Sequence, residues 1–232
     1  MQLNTLNRVI ATFTIGTFVV TLTVVALGTR MEALLERYFE DAFGASTAVV
    51  IAIALFSVTV LAGTIVDAFG NLTIRRWIRF KLARRRELAR LFFCGDEFDE
   101  QERWRKTFIT ALSDDVRHQT LAESDLATVK AMSAGIFFRT AEKEHSEWLI
   151  QHHSMYHLSA NFVILLSTVA ILAFTSGSWL LGVTTVLGAY LLMTFALDNY
   201  LYTYQLSFRN AYLALADDKT KYTTGGTELR PS

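Results

Sequence analysis

The sequence predicts an all-α polytopic membrane protein, with four transmembrane helices arranged as one, one and a hairpin, and a small helical cytoplasmic domain. Three observations predict it. Val9–Thr29 and Ala42–Val66 run without a charge, and so does the forty-residue stretch Leu158–Leu197. A helix crosses about 30 Å of hydrocarbon with about 20 apolar residues, so the first two stretches are one span each and the third is long enough for two. Charge is segregated despite a formal net charge of zero: eight Lys/Arg and one acid, Glu87, lie between Arg75 and Arg90, whereas Arg30–Asp41 holds two Arg and four acids. Loops rich in Lys/Arg stay in the cytoplasm, which places Arg30–Asp41 outside and both termini inside, as expected of a bacterial inner-membrane protein.

The N-terminal membrane part is residues 1–70. Its first span covers about 9–29. A cleaved signal peptide fits this stretch less well, because the n-region carries only Arg8 and the apolar run is 21 residues long. Between about 30 and 43, Met31, Leu34, Leu35, Tyr38, Phe39, Ala42 and Phe43 recur at helical spacing, with Glu32, Glu36 and Glu40 opposite. That pattern predicts an outer amphipathic helix. The second span covers about 46–66. Residues 71–157 form the cytoplasmic domain, opened by Asn71 as a helix cap, with weaker helical patterns around Trp104, Phe108 and Leu112 and around Val129, Met132 and Ile136. Neither Gly nor Pro occurs from Ile136 to Thr175, so one helix leads from the cytoplasm into the third span. Thr175-Ser-Gly-Ser178 breaks the long apolar stretch into the hairpin of residues 158–205. Residues 206–232 read as a cytoplasmic tail, with helix continuing to about Ala216 and a polar end after it.

Four groups of residues offer chemistry. Arg75, Arg76, Arg79, Lys81, Arg84, Arg85 and Arg86, with Trp77, Ile78 and Phe80 among them, form a basic cluster that faces anionic headgroups, each basic residue worth about 1 kcal/mol near the surface. Nucleic acid is not expected as a partner, since these aromatics are better used at the interface. His145, His152, His153 and His157 fall within thirteen residues. His153 and His157 have the i, i+4 spacing of a metal pair, and Asn161 extends their face, but no acid joins it. Interfacial histidines are the bland reading and proton sensing the other. Asp67, following Thr59 and Gly63, and the stripe Thr194, Asp198, Tyr202 suit a gating role, or caps and ion pairs with arginines of the cluster. Small and hydroxylated residues (Thr14, Thr17, Thr21, Ala48, Ala52, Gly182, Thr185, Ala189) suit helix packing, within the chain or between copies. The lone Cys94 reads as a small buried hydrophobe.

No nucleophile elbow, phosphate loop or cysteine pair occurs in the sequence, and no enzymatic activity or cofactor is expected. The leading expectation is an oligomeric membrane anchor, sensor or signalling subunit that docks a soluble cytoplasmic partner. The alternative is an ion channel or membrane-perturbing effector, and a metal-dependent membrane enzyme using His153 and His157 is the third. In organisation alone, a tight two-span hairpin entered by a long cytoplasmic helix looks like small membrane effectors of bacterial conflict systems. No residue motif carries that likeness.

Overall fold

The computed structural model describes residues 12–23, 45–113, 129–130, 132–133, 135–136 and 143–225. The outer helix expected at 30–43 and both ends of the first span lie outside the described residues. All regular structure among the described residues is helical: α1 (Thr12–Thr23), α2 (Ala45–Leu72), α3 (Ile74–Phe80), a 3-10 turn at Leu82–Arg84, α4 (Arg86–Arg90), α5 (Gly95–Ser113), α6 (Lys143–Thr175) and α7 (Trp179–Gly225). Val129, Lys130, Met132, Ser133, Gly135 and Ile136 are helical as well. Three helical stretches are long and apolar enough to cross a membrane: Ala52–Arg84, Glu147–Thr175 and Trp179–Ala216. The described part of the first apolar stretch, Thr12–Thr23, is shorter than a span.

Asn71 does not cap a new helix. It lies in the last turn of α2, and the i→i−4 ladder continues past it, with Thr73 N bonded to Phe69 O at 3.0 Å and Trp77 N to Thr73 O at 2.9 Å. The Thr73 hydroxyl also donates to Phe69 O at 2.7 Å. Backbone bonding thus outweighs the local preference of Asn for a cap, and α2 runs on almost directly into α3.

Two helix ends are built alike. After α6, Gly177 N bonds Phe174 O at 3.2 Å and Ser178 N bonds Ala173 O at 2.8 Å, with Gly177 at φ 78°. After α4, Phe93 N bonds Arg90 O at 3.1 Å and Cys94 N bonds Ala89 O at 3.0 Å, with Phe93 at φ 56°. Both are Schellman motifs, whose left-handed position favours glycine. Only the first has one.

The chain divides into two compact units, Met1–Ile78 with His157–Met193, and Arg79–Tyr156 with Thr194–Ser232. In the first, α1 and α2 meet backbone to backbone: a Cβ at Gly16 would stand 1.8 Å from Thr59 O, and one at Gly63 would stand 2.0 Å from Thr12 O. Small residues permit this approach, and Phe13 and Phe56 flank it with ring centroids 5.6 Å apart. Most of α2 is otherwise turned outward, with Ile53, Phe56, Leu61, Ile65 and Phe69 more than half exposed.

The second unit has its own core of Phe108, Leu112, Val129, Phe208 and Ala211, bordered by Trp104, Ile109, Met132, Tyr204, Tyr212 and Leu215. The Phe108 and Phe208 rings are 6.1 Å apart. Residues 206–216 are therefore not a tail. Phe208, Ala211, Tyr212 and Leu215 fall at i, i+3, i+4, i+7 on α7 and close this core, and the helix continues to Gly225.

Candidate functional site

The strongest concentration of buried charge is in the first unit. Arg75 is 1% exposed. Its Nη1 lies 3.1 Å from Asp67 Oδ1, its Nη2 donates to the Asp67 carbonyl, and Nη1 also contacts His157 Nδ1. Asn161 Nδ2 donates to Asp67 Oδ1 at 2.9 Å. The sequence positions these groups simply. Asp67 ends the apolar run of α2, Arg75 follows two turns later and reaches back along the helix direction that side chains favour, and His157 and Asn161 are i, i+4 on α6. Gly70 leaves room for the amide, since a Cβ there would be 2.2 Å from Asn161 Oδ1.

A guanidinium has no lone pair to offer, so the His157 nitrogen facing it accepts and the ring proton sits on the other nitrogen. The cluster joins α2, α3 and α6 through one ion pair and three hydrogen bonds. Losing one partner of such a buried pair is costly, about 3–5 kcal/mol, because the other charge is left uncompensated.

The second unit gathers aromatic and basic groups. Lys130, 8% exposed, donates from Nζ to the Tyr200 hydroxyl at 3.2 Å and stands 4.1 Å from the Tyr204 ring centroid. Burial first, then the Arg84 guanidinium, brings the Lys130 amine down to about 7. Arg79 Nε donates to Tyr156 Oη at 3.4 Å, and the Tyr156 and Tyr200 rings are 5.2 Å apart. His152 Nδ1 meets Asn199 Oδ1 at 2.7 Å, with its ring 4.6 Å from that of Tyr202. Cys94 is buried, and its thiol donates to Phe92 O at 3.0 Å and reaches Thr194 O at 3.6 Å. Burial, with Asp198 and Glu97 close by, pushes this thiol up to about 12.

Against these surroundings the residues singled out in the sequence separate. Of the basic cluster, Arg76, Lys81, Arg84, Arg85 and Arg86 are exposed, as a headgroup-facing role requires. Arg75 is not among them; it turns inward because Asp67 is the nearer anion. Arg79 is half-buried on Tyr156, and Arg86 pairs with Asp99. His153 is exposed beside Tyr156, while His157 spends its Nδ1 on Arg75. A guanidinium at that nitrogen takes it out of reach of a cation. Asp67 is ion-paired in the first unit; in the second, the Thr194 carbonyl and Asp198 both lie by Cys94, and Tyr202 packs on His152. Lys130 carries no sequence signal of its own. No protein-family model matches the chain, and no curated protein or solved structure is significantly similar to it.

Proposed function

We propose that this protein is a signalling or sensor subunit of the bacterial inner membrane, spanning it four times with both termini in the cytoplasm, self-associating in the membrane, and docking a soluble cytoplasmic partner through its second unit. The observation that carries this reading is the buried Asp67–Arg75–His157–Asn161 cluster within helices long and apolar enough to span. Charges held in such segments are expensive and are retained where they do something. The unbroken helix α6 supplies His157 to this cluster and Tyr156 to the second unit. The exposed Arg76, Lys81, Arg84 and Arg85, with Trp77 and Phe80 beside them, support contact with anionic headgroups.

Purification from the native host in nanodiscs, with mass spectrometry of co-purifying proteins, tests the reading. A stoichiometric soluble partner is expected, held in a different amount by His157→Gln protein. Homo-oligomers without a partner, from both wild type and variant, would remove it. The same buried ionisable groups favour a channel as the second reading. In that case Asp67→Ala and Asp198→Ala alter conductance in planar bilayers while assembly is kept, and unchanged conductance in both would exclude it.

A further inference from the structure

The second unit also holds a set of ligands that neither the signalling reading nor the histidine pattern uses. Cys94 immediately precedes α5, Glu97 stands in the first turn of α5, and Asp198 comes from α7. Cys94 Sγ, a Glu97 carboxylate oxygen and an Asp198 carboxylate oxygen all lie within 4.8 Å of one another. Atoms bonded to one zinc ion at about 2.0–2.3 Å are roughly 3–4 Å apart, so side-chain adjustments of about an ångström close the set. Cys94 is buried and the two acids are half-buried, which leaves a way in for an ion.

A second, independent feature points to a cation. Gln101 is 1% exposed, yet its Oε1 has no hydrogen-bond partner among the described residues. Positions 94, 97 and 101 are i, i+3 and i+7, one face of the helix. Helical side chains lean toward the N-terminus, so the Gln101 amide extends back over the turn that carries Glu97. Glu97 Oε2 is itself buried without a hydrogen-bond partner. A buried oxygen left without a donor costs about 1–3 kcal/mol, and here two such oxygens share a face of α5 with the Cys94 thiol, while Asp198 approaches the thiol and Glu97 from α7. What this group lacks is positive charge.

We propose that Cys94, Glu97 and Asp198 bind one divalent transition-metal ion of borderline softness, of the zinc class, with Gln101 Oε1 or water in the fourth position. The sulfur ligand disfavours calcium and magnesium, which take oxygen shells. On binding, the Cys94 S–H bond breaks, its proton goes to solvent, and a sulfur–metal bond replaces it, with no change of oxidation state. The ion ties the start of α5 to α7 inside the second unit.

The test is titration of the full chain, chelator-stripped in nanodiscs, with Co2+. The sequence has a single cysteine, so any thiolate-to-cobalt charge-transfer band in the near ultraviolet reports Cys94. The expected result is a band that saturates at one cobalt per chain, is bleached by Zn2+ and is absent from Cys94→Ser. Glu97→Gln and Asp198→Asn should each weaken binding by about tenfold or more. No band at millimolar Co2+ overturns the proposal, and so does a band equally tight in both carboxylate variants, which would mean a thiol acting alone. A wild-type measurement decides if the variants do not fold. Zn2+ should slow maleimide labelling of Cys94 at least tenfold, and an unchanged rate overturns the site.

Discussion

Lys130 shows how one residue links burial to a pH response. Its amine sits among Tyr200, Tyr204 and nearby guanidinium groups. Burial brings it to about 7 from the ordinary lysine value of 10.5. Between these values the unfolded chain holds a proton that the folded chain does not, so stability rises with pH across that window and levels off above it. Unfolding midpoints in denaturant from pH 6 to 9 should therefore climb, below the range where the buried Cys94 thiol opposes the trend. Lys130→Met, of similar length and without the charge, should flatten the curve and raise the low-pH end. A wild-type midpoint that falls between pH 7 and 9 would place the charged form, not the neutral one, in the folded state. Neither this lysine nor the inward turn of Arg75 was legible in the sequence. An isolated lysine reads as solvated, and only the fold reveals the tyrosine pair beside Lys130 and which arginine of the basic run reaches Asp67. Asp67 itself was legible as an ion-pair candidate, because a carboxylate at the edge of an apolar run must be satisfied by something.

Among the elements, the two Schellman ends make a matched pair with opposite side chains. Gly177 at φ 78° and Phe93 at φ 56° occupy the same left-handed position with the same two backbone bonds. A side chain there costs roughly 1–2 kcal/mol, offset in part by the backbone entropy of glycine. Phe93 is 79% exposed, so removing its ring forfeits little burial. Phe93→Gly should then stabilise by about 0.5–1 kcal/mol and Gly177→Ala should destabilise by about 1–2 kcal/mol, read as opposite shifts in thermal midpoint. A loss of stability in Phe93→Gly would mean that the ring contributes more through its contacts than the strain removes. The break at Thr175–Ser178 was legible because small and polar residues interrupt forty charge-free ones. The α4 end was not, since it lacks the glycine that marks such ends. The close meeting of α1 and α2 depends on Gly16 and Gly63, two glycines in separate stretches whose pairing no single-chain periodicity reveals.

At the scale of the molecule, the division into units departs from the linear order of the sequence. Charge-free length gives four expected spans, of which three are helices long and apolar enough to cross among the described residues, because the bilayer constrains each by itself. A helical core assembled from distant segments obeys no such local rule. Position beyond the last charge-free stretch suggests an appendage, yet Phe208 and Ala211 are fully buried against Phe108 and Leu112. The i, i+3, i+4, i+7 spacing of Phe208, Ala211, Tyr212 and Leu215 was the available signal. Truncation separates the two readings. Ending the chain after Gln205 removes all four residues, and large-to-small changes at buried sites cost about 2–5 kcal/mol each. Their sum is comparable to the whole stability of a domain, about 5–15 kcal/mol. Ending it after Ala216 keeps all four. Limited proteolysis in nanodiscs should therefore find residues 79–113 cut rapidly in the shorter chain and protected in the longer one, while the membrane helices stay intact in both. Equal protection in the two would return residues 206–216 to the status of a tail and leave the core of the second unit to Phe108, Leu112 and Val129 alone.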